Sequence, residues 1–108
     1  MNVQRWDCDL DGTLSEAGLR RKLEKLGYSV SRYVYPPGTR FPEHSHEVEK
    51  IDAVLSGRFR VTIGTDSEIL GPGDSVVVPR GTLHSAEVVG EQAVVSLDAM
   101  KTSVEALL

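Results

Sequence analysis

The chain has 108 residues, of which 40% are hydrophobic and 26% charged, with a net charge of -4. This length makes one domain, because two halves would each be too small to bury a core, and the scattered Lys and Arg exclude the basic stripe of a nucleic-acid binder. A single cysteine, Cys8, rules out an internal disulfide and fits a reducing, cytoplasmic setting; no apolar run approaches the roughly 18 residues of a membrane span, and the opening residues read as no signal core.

The first segment carries two motif fragments. Asp7, Asp9, Asp11 and Gly12 are spaced like the opening of a calcium loop, whose twelfth position must be a bidentate Glu and is Gly18 here. Asp9-Leu-Asp11-Gly12-Thr13 resembles the nucleophile motif of haloacid-dehalogenase phosphatases, but that motif follows a buried hydrophobic strand, and here Arg5-Trp-Asp-Cys precedes it. Both fragments are read as an Asp/Gly turn. Cys8 is assigned no chemistry. Ser15 then caps a predicted helix over Glu16 to Leu26, with Leu19, Leu23 and Leu26 at helical spacing and Gly27 as the stop. The helix is expected to pack on the rest of the domain as a lid.

From Tyr28 onward the sequence predicts strands. Tyr28 to Tyr35 is rich in β-branched and aromatic residues and ends at Pro36-Pro-Gly38. Val48 to Leu55 and Arg58 to Ile63 flank Ser56-Gly57, a hairpin signal. Phe59, Val61 and Ile63 alternate with Arg58, Arg60 and Thr62, which puts one face in the core and the arginines in solvent. Further strands are predicted at Ser67 to Leu70, Asp74 to Pro79, Leu83 to Val89 and Gln92 to Ala99, with a last helical turn at Val104 to Leu108. Many short strands with regular turns mean a sandwich or barrel.

The three histidines of the chain are the strongest chemical signal. His44 and His46 lie two residues apart, so in a strand both imidazoles point to one face, and His84 stands in a different strand-like run. Neutral imidazole is a good ligand for several divalent transition metals, and three rings converging from a rigid wall would hold one ion. Glu43, Glu47 and Glu49 fall on the opposite face by alternation, unless a bulge brings Glu49 inward. Arg40 and Arg80 border the turns and are expected at the surface, and Tyr33, Tyr35 and Phe41 are expected to line or close the interior.

Gly38, five residues, His44-Ser-His46 and then Gly57 resembles the first motif of the cupin superfamily; Gly73, five residues, Pro79-Arg-Gly81, two residues and His84 is similar to the second. The resemblance implies an all-β, cupin-type jelly-roll β-barrel with one short N-terminal helix, frequently a homodimer, with a metal in the wider mouth. The domain divides accordingly into an N-terminal segment at 1–27, the barrel at 28–100 and a tail at 101–108. For the homodimer, Trp6 with its segment or the stretch Val94 to Met100 is expected to supply an apolar surface. His44, His46 and His84 would be the metal ligands for a divalent ion, iron, manganese, zinc or nickel.

Two positions depart from the pattern. Lys50 stands where the family usually has a Glu ligand, and Val88 where the second motif usually ends in Asn. An ammonium about 6 Å from a divalent ion is repelled by roughly 5 kcal/mol at an effective dielectric near 20. Lys50 is therefore expected to turn aside, for instance toward Asp52, to lose its proton, or to share an anion with the metal; otherwise the protein binds no metal. Two functions follow. One is a small metal-dependent dioxygenase or isomerase acting on a small, anionic organic compound, with Lys50 as the catalytic residue that orients or charge-pairs the substrate. The other is a non-catalytic small-molecule-binding or sensing module, metal-free or metal-loaded, with the replacement of the Glu by Lys50 favouring the metal-free form. Neither involves nucleic acid or a membrane.

Overall fold

The computed structural model describes residues 1–102; the helical turn expected at Val104 to Leu108 lies outside them. Eleven elements follow in chain order: β1 (Val3–Gln4), α1 (Cys8–Asp11), α2 (Glu16–Lys25), β2 (Tyr28–Tyr35), β3 (Arg40–His44), β4 (Lys50–Ser56), β5 (Phe59–Ile63), β6 (Asp66–Leu70), β7 (Ser75–Val78), β8 (His84–Val88) and β9 (Val94–Lys101). They form a five-stranded sheet in the order β1-β7-β4-β9-β2 and a four-stranded sheet in the order β3-β8-β5-β6, with all pairings antiparallel.

The expected closed jelly-roll β-barrel is corrected to two sheets. Among the described residues, the edges β1 and β2 of one sheet form no ladder with the edges β3 and β6 of the other. Closure needs a continuous ladder, and the chain crosses between sheets at Pro36 to Gly38, Gly57, Gly71 to Gly73, Pro79 to Gly81 and Gly90. Prolines lack the N–H that a ladder requires, and glycines in the left-handed region turn the backbone out of it. The hairpin predicted at Ser56-Gly57 is such a crossing: β4 and β5 belong to different sheets. Gly57 (φ 83°) is needed there, since a β-carbon would overlap the carbonyl oxygen of Ala93. The actual hairpin joins β5 to β6 through Gly64-Thr65, with Ile63 opposite Asp66.

Two apolar layers hold the molecule together. Between the sheets pack Val54, Phe59, Val61, Leu70, Val76, Val78 and Val94. On the far side of the five-stranded sheet, Leu19 and Leu23 of α2 pack on Tyr28, Ile51, Ala53, Leu97 and Ala99. Strand β4 thus gives Ile51 and Ala53 to the helix and Asp52 and Val54 to the space between the sheets. The helix begins as predicted, with Ser15 Oγ accepting from Gly18 N at 3.0 Å. It covers the outer face of the sheet, and Leu26 is its exposed cap.

The N-terminal segment has a second, four-residue helix that the sequence reading lacks, α1, capped by Asp7. Asp7 accepts from Asp9 N and Leu10 N, and Asp11 pairs with Lys22 at 2.7 Å. The segment read as an Asp/Gly turn is thus a short capped helix that ends at Gly12, and the carboxylates of Asp7 and Asp11 are engaged by it and by Lys22. Both surfaces expected to serve a homodimer are used within the chain. β9 lies between β4 and β2 with Val94, Leu97 and Ala99 fully buried, and Trp6 packs on the helix-side layer, with the Lys22 ammonium 5.2 Å from its ring. The homodimer therefore has no support in this structure.

Candidate metal centre

β3 and β8 are neighbours, and His44 stands directly opposite His84. The register explains why. Phe41 pairs with Ala86 and His44 with His84, so β3 spends three steps where β8 spends two. This bulge at Pro42-Glu43 inverts the alternation and turns His44, in place of Glu43, to the face that carries Phe41. His46 lies past the end of β3 in an irregular turn. The expectation that His44 and His46 share a face by strand alternation is thus met by a different route: the turn is pinned where Gly81 N donates to His46 O at 2.9 Å.

The three rings converge. Their centroids are 4.7 Å apart for His44 and His46, 4.3 Å for His44 and His84, and 5.1 Å for His46 and His84. One potential ligand atom from each lies within 4.8 Å of the others. Nδ1 of His44 faces Pro42 O at 2.7 Å and Nδ1 of His84 faces Thr82 O at 2.9 Å. A carbonyl only accepts, so both Nδ1 atoms carry the proton, which leaves each Nε2 with its lone pair free for a metal. Burial holds His84 below the usual histidine range despite its bond to Thr82. Burial, followed by the charges of Lys50, His44 and His84, does the same for His46. Both shifts favour the neutral imidazole, the form a metal requires.

A cavity of about 150 Å³ opens over the rings, lined also by Tyr35, Phe41, Lys50, Asp52 and Asp98. Lys50 turns its ammonium into this wall, 4.0 Å from Asp98 Oδ2, with both side chains mostly buried. It pairs with Asp98 and not with Asp52, the partner considered from sequence. Asp98 also accepts from Tyr35 Oη at 2.9 Å and Ser96 Oγ at 2.7 Å. Asp52 lies directly opposite Asp98 across β4 and β9. Burial and the Asp98 charge push its carboxyl up to about 6. Burial, then the Asp98 charge, moves the Tyr35 phenol well above its ordinary range, so it remains a donor.

Glu49 does not replace the absent ligand. It accepts from Tyr28 Oη and lies 3.7 Å from Lys101; burial, then the hydrogen bond to Glu49 and its charge, pushes Tyr28 up to about 12. Arg40 pairs with Glu87 at 3.6 Å on the surface, and Arg80 is exposed. Tyr33 stacks on Tyr35 but is half exposed and does not line the cavity. Asp98 is the site residue that the sequence reading lacks. Its signal was present: Ser96 and Asp98 are polar at alternate positions within a run, Val94 to Met100, otherwise made of Val, Leu, Ala and Met.

The donor set fits a divalent transition-metal ion: three imidazoles, no thiolate, two tautomers fixed by backbone carbonyls. A cavity on the open side leaves coordination positions for a ligand.

Residues 31–100 match the family model described as the cupin domain. The chain is a cupin. This cupin is 31% identical over 86 residues to germin-like protein subfamily 1 member 4 of Arabidopsis thaliana, covering 71% of the chain and 39% of the relative. The chain therefore spans about two-fifths of the length of that curated protein. Among solved structures it is similar to the DMSP lyase DddQ of Ruegeria pomeroyi DSS-3, with a TM-score of 0.60 and 30% identity over 71% of this chain and 40% of that one. It is also similar to an oxalate oxidase in complex with the substrate analogue glycolate, with a TM-score of 0.62 and 27% identity over 71% and 43%.

Proposed function

We propose that this cupin is a small metal-dependent enzyme that acts on a short anionic organic compound, with His44, His46 and His84 as metal ligands and Lys50 as the group that holds the anion. The convergence of three histidines below a cavity whose wall also carries the mostly buried Lys50 is the observation that supports this most. A bound divalent ion would supply Lewis-acid polarisation of a carboxylate or carbonyl oxygen. With three neutral ligands, the ion's double charge would not be offset in the ligand shell, which favours an anionic chelator. Lys50 then pairs the same anion from the other side, and Tyr35 keeps Asp98 oriented. The glycolate complex of the similar oxalate oxidase supports a short carboxylate as the ligand class. A reducing, cytoplasmic setting belongs to this proposal and is supported by the single, exposed Cys8. Nucleic acid is not among the proposed partners, and among the described residues no helix is long and apolar enough to cross a membrane.

A metal-free binding module is the second reading, favoured by one observation: Lys50 stays in the cavity wall, and its charge opposes protonation of His46 and His84 as it would oppose a cation. Elemental analysis of freshly purified protein, followed by calorimetric titration with glycolate, separates the two. About one divalent ion per chain, with glycolate binding that weakens at least tenfold in Lys50→Ala, is the expected result. Glycolate binding without metal would favour the second reading, and a loaded protein that ignores glycolate would refute the first.

A further inference from the structure

The wall facing the histidines holds two carboxyls of unequal standing. Asp52 and Asp98 are direct cross-strand partners on β4 and β9, so both side chains leave the sheet on the same face and both line the cavity. Asp98 has its complement: Tyr35 Oη and Ser96 Oγ each donate to one of its oxygens, and Lys50 lies 4.0 Å away. Asp52 has none. It is 9% exposed, aims into the cavity, and has no side-chain hydrogen-bond partner among the described residues. An ionised carboxylate is an acceptor only, and since no buried side-chain oxygen among the described residues lacks a partner, the Asp52 oxygens open to the cavity, where an occupant supplies the donor that the protein does not. The cavity, of about 150 Å³, is small enough to suit a short organic acid.

We infer that Asp52, backed by Asp98, is a specificity-determining residue that selects a short hydroxy acid: one carboxylate for the metal and Lys50, and one hydroxyl that donates to Asp52. This rests on the reading of the site as a metal centre for small carboxylates. A simple dicarboxylate of the same size brings a second negative charge and no donor, and meets two acceptors and their charge. The order of affinities is thereby opposite to that of metal chelation alone, because oxalate grips a free divalent ion more firmly than glycolate does.

The test is calorimetric titration of the zinc-loaded protein with glycolate, acetate and oxalate at pH 8, with zinc retention checked by elemental analysis. The native protein is expected to bind glycolate at least tenfold more tightly than oxalate or acetate. In Asp52→Asn, glycolate is expected to lose about tenfold against acetate, and oxalate to gain about tenfold. Oxalate binding more tightly than glycolate in the native chain overturns the inference without recourse to any variant, as do unchanged ratios in a folded, zinc-loaded Asp52→Asn. If none of the three acids binds the native protein, the carboxylate reading itself fails and the inference falls with it.

Discussion

A lysine beside a cation site must be neutralised, and the distances say by what. Repulsion between an ammonium and a divalent ion about 6 Å away is roughly 5 kcal/mol at an effective dielectric near 20, and attraction to a carboxylate at about 4 Å is roughly 4 kcal/mol. Asp98 therefore offsets most of the cost of Lys50, which is why the ammonium can stay in the cavity. Lys50→Glu removes the opposing charge and adds an acidic donor. Zinc affinity, read by competition with a chelator, should rise at least about tenfold; an unchanged affinity would mean that Lys50 does not sense the ion. Asp52 makes a second prediction. Its carboxyl is raised from 3.8 to about 6, so between these values the folded chain holds a proton that the unfolded chain has released. Stability of the metal-free protein must fall as pH rises through that window and level off above it, by at most about 3 kcal/mol. Urea unfolding of Asp52→Asn should lack this fall and leave the variant more stable than native at pH 8; a parallel pH profile would argue against a charged Asp52.

Elements differ in how openly the sequence declares them. β2 is legible to the residue, because Tyr28 to Tyr35 is a β-branched and aromatic run ended by two prolines. β5 is legible through its alternation: Phe59 and Val61 are buried, while Arg60 reaches Glu87 at 2.8 Å. β3 is not. Its bulge at Pro42-Glu43 breaks the two-residue period on which strand reading depends, and its register is set by β8, which is distant in sequence. The motif spacing therefore picks out the three histidines that the structure brings together, while the alternation argument assigns His46 to a strand it does not occupy. Sheet closure is likewise a matter of ladder continuity at the corners, which local pattern does not encode. At one of those corners the backbone leaves no room for a side chain. Gly57→Ala should cost roughly 2 to 4 kcal/mol, from the positive φ and the overlap with Ala93. A denaturant midpoint equal to native would show that the β4–β5 crossing is more plastic than its geometry implies.

The whole molecule is a three-layer arrangement, helix on sheet on sheet, in which the site sits at the end of the inter-sheet core where apolar packing gives way to His, Lys and Asp. Val54 and Val94 stand two residues from Asp52 and Ser96 on the same strand faces, so the apolar core directly supports the polar wall. Building this wall costs stability: Asp52 is held beside the Asp98 carboxylate in a largely buried place, and three imidazoles face one another. A bound ion should restore it. At a free zinc concentration one hundred times the dissociation constant, about 2.7 kcal/mol of added stability is expected, a rise in melting midpoint of roughly 10 to 20 °C for a domain of this size.

That the three rings form one divalent metal site is tested most directly by zinc titration of the chelator-treated native chain beside His84→Ala. The native protein should take up one ion per chain at micromolar concentration or tighter, and His84→Ala, folded but with one ring missing, should lose at least a hundredfold in affinity. Equal binding by the two proteins, or none by the native chain, would contradict the account.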